Sequence, residues 1–239
     1  MKRLLFLSIA IVFLFASCDF AGEQVKGNGV IKTHEHNVGE FKNIEISGNI
    51  HLYITQGPAT PLRIEADENL FDFIELVQEG GKVEIRIRNG FNLKPTKEIN
   101  VYASSPSVHE FHAAGSCDII GQNKITSTDD MNIELSGSCD VQLELNSPRV
   151  KADLAGACSL VLKGETKKLD VEGSGSTDIK SMDLLAEEVN VDISGSGDAQ
   201  VFASVKLDVE ISGSGSVRYK GNAAVNKSVA GSGSITKVD

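Results

Sequence analysis

The chain of 239 residues carries 33 acidic against 23 basic side chains, a formal net charge of −10, with no tryptophan and 5% aromatic residues. An acidic surface of this kind repels nucleic acid, which excludes DNA and RNA as partners. The scarcity of aromatic residues counts against a sugar site built on a stacking platform.

At the N-terminus, Lys2 and Arg3 precede an apolar run from Leu4 to Phe15, and Ala16 and Ser17 stand before Cys18. This is the pattern of an export signal. The run is shorter than the ~20 residues of a membrane-spanning helix. A cysteine directly after two small residues resembles the lipobox of bacterial lipoproteins, which implies a signal peptide over 1–17 and lipidation of Cys18. Phe15 stands where leucine is usual, with Leu14 one place earlier. Loss of Lys2 and Arg3 with the signal takes the charge to −12, which disfavours anionic headgroups and leaves membrane attachment to the lipid alone. Residues 18–29 then read as a tether, and the expected location is the cell envelope, at the outer membrane.

Residues 30–105 read as a β-rich region. Alternating segments such as those starting at Ile44 and Lys82 predict strands, and Ala66–Ile74 predicts one short helix with Asp67 as its cap. Pro95 and Pro106 punctuate the approach to the next region.

From residue 106 to 239 one short phrase recurs seven times, with leading glycines at Gly115, Gly137, Gly156, Gly173, Gly195, Gly213 and Gly231. Intervals of 17 to 22 residues suit one solenoid coil each. Around each glycine apolar and polar residues alternate, as at Ile133, Leu135, Val141 and Leu143, so each coil is made of half-buried strands. The fold class is therefore all-β, a parallel β-solenoid of about seven coils. Seven coils at the spacing of neighbouring strands give a rod of roughly 34 Å. No amphipathic helix follows the last repeat within the sequence, which predicts an open edge there.

The first glycine column admits no other residue and predicts left-handed backbone or extreme closeness. A second column, two residues on, holds Cys117, Cys139 and Cys158 in three coils and glycine in the others, so it requires only a small inward side chain. The three cysteines predict a stacked ladder of buried thiols. At ~4.8 Å between coils they stand too far apart for the usual disulfide Cβ separation.

The segments starting at Asn43, Arg63 and Asn92, followed by the repeated Ser-Gly-Ser-Gly phrases, together resemble the head GIN domain family of putative autotransporter adhesins, common in Bacteroidetes. Gly48–Ile50 corresponds to the name-giving phrase. The resemblance covers nearly all of residues 30–239 and implies an all-β solenoid on an envelope lipoprotein. It supplies no functional residues.

Three residues before each leading glycine, Glu134, Asp153, Asp170, Asp192 and Glu210 form an outward stripe, preceded by His112 and followed by Ser228. Stacked like charges call for cations, basic neighbours or solvent, so the stripe is a candidate for a cation such as Ca²⁺ or for a basic partner, set against the plainer reading of a solvated face. Lys151 and Lys168 lie on the same face. Ser138, Ser174, Ser196, Ser214 and Ser232 form a second outward column. His34 and His36 share a strand face without an identifiable third metal ligand. No HExxH, GxSxG, phosphate loop or CxxC occurs, and no cofactor is expected.

These features point to a non-enzymatic envelope lipoprotein that binds a protein or glycan through a solenoid face. The alternative is a scaffold that self-associates through exposed coil ends. A carbohydrate-active β-helix enzyme comes third, because short coils leave little room for the loops that would bring carboxylates together.

Overall fold

The structure is a computed structural model describing residues 22–238, so the signal peptide and Cys18 lie outside the described residues. Strand after strand shows the period-two burial that a half-buried sheet dictates: Met131–Gly137 alternates buried with half-buried or exposed side chains, and Ile50–Gln56 alternates buried with half-buried ones. One sheet of 18 strands and a two-stranded accessory hold most of the described residues.

Residues 110–237 wind as a parallel solenoid. The strands Asp140–Gly156, Ser159–Gly175, Asp178–Gly195 and Asp198–Gly213 each run from one glycine corner to the next and lie in register on the coil before. The rows continue into the N-terminal region, where Asn43–Gly48 pairs in parallel with Glu110–Gly115 and Ile50–Gln56 with Asp118–Gly121. The phrase Gly48–Ile50 therefore occupies the first corner of the same array. Lys82–Ile87 and Ile99–Ser105 stack on that first coil. Beyond them the pairing turns antiparallel, with Ile31–His36 against Leu62–Asp67 and Ile74–Glu79 against Lys82–Ile87, and this closes the N-terminal side.

The corner column corrects the sequence reading at one place. In register, Gly156 is followed by Gly175 and then Gly195, so Gly175 belongs to the column and Gly173 does not. Gly173 stands in the inward row between Leu154 and Ile193. The intervals become 22, 19, 19, 20, 18 and 18 residues from Gly115 to Gly231. Each corner glycine has positive φ, from 99° at Gly175 to 135° at Gly213. Each is also overlaid by the coil before: a Cβ on Gly156 would lie 2.3 Å from the Gly137 carbonyl oxygen. That oxygen accepts a hydrogen bond from the N–H of Ala157 at 2.8 Å, and the same bond recurs at the other corners.

The inward rows on either side of the corner exchange volume. Cys117, Cys139 and Cys158, at 0%, 0% and 2% exposure, face a row that holds Ala113, Leu135 and Leu154. Thr177 continues the cysteine row, and opposite it comes Gly173, where a Cβ would lie 2.6 Å from the Thr177 hydroxyl. Gly197 and Gly215 come next, and the space they leave is taken by the γ-methyl of Ile193. Rows of constant summed volume keep the coil spacing uniform.

Two further differences lie in the N-terminal region. Within residues 18–29, for which the sequence predicts a tether, Glu23–Lys26 forms a strand paired in parallel with Phe91–Lys94. Backbone hydrogen bonds are satisfied there by Gly90 and Lys94 carbonyls, a pairing between distant segments that local composition does not reveal. The helix over Glu68–Phe73 is a 3-10 helix, and Asp67 makes no side-chain cap bond to it. The Asp67 carboxylate instead accepts from the N–H of Gly29, the N–H of Thr96 and the hydroxyl of Thr96, at 2.7 to 2.8 Å. Burial works against its charge, but these hydrogen bonds outweigh it and hold the carboxyl below its ordinary value. Gly27 makes this possible, since a Cβ there would lie 2.3 Å from the carboxyl oxygen.

The corner geometry separates glycines that matter from those that do not. Gly156→Ala is expected to cost about 3 kcal/mol through strained backbone and overlap with the preceding coil. Gly39→Ala, with negative φ and only the Gln78 amide within contact at 3.5 Å, is expected to leave the urea midpoint near that of the parent chain. Equal losses in the two variants would refute the corner assignment.

Candidate functional site

The outward face just before the corner carries a continuous acidic row. Register places Glu84, Glu45, His112, Glu134, Asp153, Glu172, Asp192, Glu210 and Ser228 one above another. Glu134, Asp153, Asp192 and Glu210 stand where the spacing put them. Asp170 does not: it is two residues out of phase, for the same reason as Gly173, and Glu172 takes its place. The signal that identifies the correct phase is the aspartate three residues after the corner. Asp118, Asp140, Asp178 and Asp198 recur there, and aligning on them selects Gly175 and Glu172.

Asp170 sits in the row of Lys151 and Asn190 and has a different role. It is nearly buried, at 8% exposure. The Arg149 guanidinium donates to its Oδ2 from Nε and Nη2, both at 2.7 Å, and Lys168 approaches Oδ1 at 3.2 Å. This is a compensated structural carboxylate.

Neutralisation along the acidic row proper is uneven. Lys82 pairs with Glu45 at 2.5 Å and Lys151 with Asp153 at 2.8 Å. The bond to Asp153 holds the Lys151 ammonium above its usual value. His112 Nδ1 lies 3.0 Å from Glu134. Glu172, Asp192 and Glu210 make no ion pair among the described residues. From Glu45 to Asp192 the row lies beside the small residues Ala114, Ser136, Ala155, Ser174 and Ser194, and this stretch lines an open groove of about 610 Å³ that runs across several coils, with Glu210 just beyond its end. Ser174 belongs to this strip; the column just past the corner is Ser116, Ser138, Ala157, Ser176, Ser196, Ser214 and Ser232.

The carboxylates project side by side, one per coil, and do not converge. Among the described residues no group of three or more His, Cys, Asp or Glu side chains is arranged to hold a metal ion. His34 stacks on Phe71 with ring centroids 3.7 Å apart. Burial and the neighbouring His34 lower the value of His36.

The thiols of Cys117, Cys139 and Cys158 are free and buried. Each donates to the carbonyl three residues earlier, at 3.4, 3.4 and 3.6 Å for Ala114, Ser136 and Ala155. Contact with Cys139 and burial push the Cys158 thiol far up, and contact with Cys117 raises Cys139, whereas the bond with Cys139 lowers Cys117, so a nucleophilic thiolate is disfavoured at Cys139 and Cys158. Tyr53 and Tyr102 stack at 5.0 Å, with Arg63 4.8 Å over the outer face of the pair. The Tyr102 ring is thus engaged by both Tyr53 and the guanidinium.

A family model described as "Putative auto-transporter adhesin, head GIN domain" matches residues 40–223. A structure from Parabacteroides distasonis, named a putative lipid binding protein, is similar at 26% identity over 91% of this chain and 100% of its own, with a TM-score of 0.75. A putative adhesin from Bacteroides fragilis aligns at 23% identity over 90% of this chain and 100% of its own, with a TM-score of 0.84. One from Parabacteroides merdae aligns at 23% identity over 91% and 100%, with a TM-score of 0.64. These last two likenesses concern the fold. A search of curated proteins returned no match.

The different surroundings of Glu172 and Asp170 predict opposite effects of neutralisation. Glu172→Gln relieves repulsion in an uncompensated row and is expected to raise stability by about 0.5 kcal/mol at low salt, a gain that fades as salt screens the row. Asp170→Asn strands Arg149 and Lys168 and is expected to lower it by about 2 kcal/mol. Thermal melts of both at two salt concentrations test the assignment, and the reverse order would overturn it.

Proposed function

Since the chain belongs to the head GIN domain family of "Putative auto-transporter adhesin" proteins, we propose that it is a non-enzymatic lipoprotein of the cell envelope that binds a basic partner protein along its acidic groove. The observation that carries this reading is the run Glu172, Asp192 and Glu210, which make no ion pair among the described residues, in continuity with Glu134 and Asp153 and beside a strip of small side chains. Bringing such charges together on a rigid surface costs stability unless something offsets the repulsion. The hydroxyls and exposed backbone of the strip let an extended segment approach closely. An enzyme fits less well, because the acids are parallel rather than convergent and coils of 18 to 22 residues carry no long loops.

The Parabacteroides distasonis relative bears a lipid-binding name, which raises a lipid reading for this chain. Its interior rows are filled by stacked side chains such as Ile193, Ile211 and Leu162, all at 0% exposure. A lipid would therefore have to dock outside, where the acidic row repels anionic headgroups.

Attachment through Cys18 makes its own prediction: Cys18→Ser is expected to move the protein from the membrane fraction to the soluble fraction, and unchanged fractionation would remove the lipid anchor from the proposal. For the groove, the probe is a Lys-rich extended peptide titrated onto the whole chain. The combined variant Glu134→Gln, Glu172→Gln, Asp192→Asn is expected to bind it about tenfold more weakly and with a shallower salt dependence. Undiminished binding by that variant would refute the groove as the docking face.

A further inference from the structure

The coil made by Ala224–Gly231 and Ser234–Lys237 pairs on one side, with the strands Asp198–Gly213 and Ser216–Lys220 respectively. Its other edge pairs with no described strand. Backbone N–H and C=O groups along that edge form a template for an added strand.

Charge on this coil departs from that of the rest of the molecule. Residues 216–238 include Arg218, Lys220, Lys227 and Lys237 and neither Asp nor Glu, in a chain whose net charge is −10. The last ion pair along the described chain is Lys206 with Asp208.

One inward row is altered as well. Leu207, Val209 and Ile211 are buried, and the residues following them in register are Val225, Lys227 and Val229. A lysine thus takes the valine place of the row Val171, Val191 and Val209. Val209 remains only 3% exposed, which fits a lysine stem laid over it with the ammonium at the rim. Val229 is 42% exposed beside it.

We propose that this edge receives an extended segment of a partner protein with an apolar, any, acidic, any, apolar pattern. Its carboxylate meets Lys227 while its apolar residues cover Val225 and Val229. An apolar residue over Lys227 would close the ammonium into an interface without a counter-charge, which is costly. A second copy of this chain is disfavoured by the same feature. Val225 and Val229 flank Lys227 symmetrically, so two such strands paired antiparallel about that residue would set Lys227 against Lys227, and like charges directly opposite are destabilising. This inference does not depend on the acidic groove, which lies on a lateral face.

The test uses the full chain, isotopically labelled, and two end-blocked peptides, Thr-Val-Thr-Glu-Thr-Val-Thr and its counterpart with a central lysine. Amide shifts confined to Ala224–Lys237 are expected with the first peptide, and binding weaker by about tenfold with the second. Lys227→Met is expected to abolish the difference, with the chain monomeric by light scattering throughout. The proposal is overturned by no shifts in that segment, by equal response to both peptides, or by dimerisation of the chain through the edge. An edge already occupied by the chain's own residues gives the first of these results. The three-site groove variant should respond to the peptides as the parent chain does, so the two binding readings stand or fall separately.

Discussion

The corner of each coil is where one backbone carbonyl meets the next coil too closely for any side chain to intervene. Gly115 carbonyl accepts from the Ser138 N–H at 2.7 Å, while a Cβ on Gly137 would stand 2.4 Å from that same oxygen. Positive φ at the same residue turns the chain. Two demands coincide, of conformation and of space, and glycine alone meets both. Because every corner makes the same contact, each coil is laid on the last without sliding, and residues equally far from the corner must stack. The rows on which the binding readings rest are consequences of that one contact.

Fixed registration in turn makes side-chain volume a shared quantity across the corner. A cysteine row can give way to threonine and then glycine only if the facing row changes in compensation, and it does, through Leu154, Gly173 and Ile193. This explains why Gly173 exists at all: it makes room for Thr177. The cysteines are accordingly best understood as packing residues that also hydrogen-bond a carbonyl, rather than as a redox device. Thr177 contributes the one awkward group of the row, a buried hydroxyl without a hydrogen-bond partner among the described residues. Glycines on either side crowd close to it, and its cost is borne by the surrounding fit.

Period-two alternation and recurring glycines made the solenoid legible in the sequence, since both follow from local chemistry repeated many times. The phase of one coil was not. Glu172–Thr177 contains two glycines two residues apart, and a shift of two preserves inward and outward parity, so hydrophobic pattern cannot choose between Gly173 and Gly175. Only the spacing of the flanking aspartates breaks the tie, and since Asp170 stands three residues before Gly173, the same two-residue shift applies to both. The strand at Glu23–Lys26 was hidden for another reason: its partner, Phe91–Lys94, is far away in sequence and the pairing buries little. Asp67 was found as a polar residue at a helix start, but its ligands Gly29 and Thr96 come from elsewhere in the fold.

Outward rows carry none of the corner's constraint, which is why they can hold a functional pattern. Inward positions must balance volume with their neighbours and the corner must remain glycine, whereas an outward residue need only tolerate the one above and below it. Seven carboxylates with one histidine in a single outward row is far from what that tolerance alone would favour, because each neighbour adds repulsion. Elsewhere the molecule shows that it can compensate such charge locally, as Arg149 and Lys168 do for Asp170. Glu172, Asp192 and Glu210, which make no ion pair among the described residues, lie a few residues away from that cluster, so the unpaired charge falls on the groove and the row that continues it. The basic coil at Ala224–Lys237 is the complementary case: the acidic row gives way to Ser228 at the coil where Lys227 enters a core row, so the two charge patterns change together at one coil, in neighbouring rows.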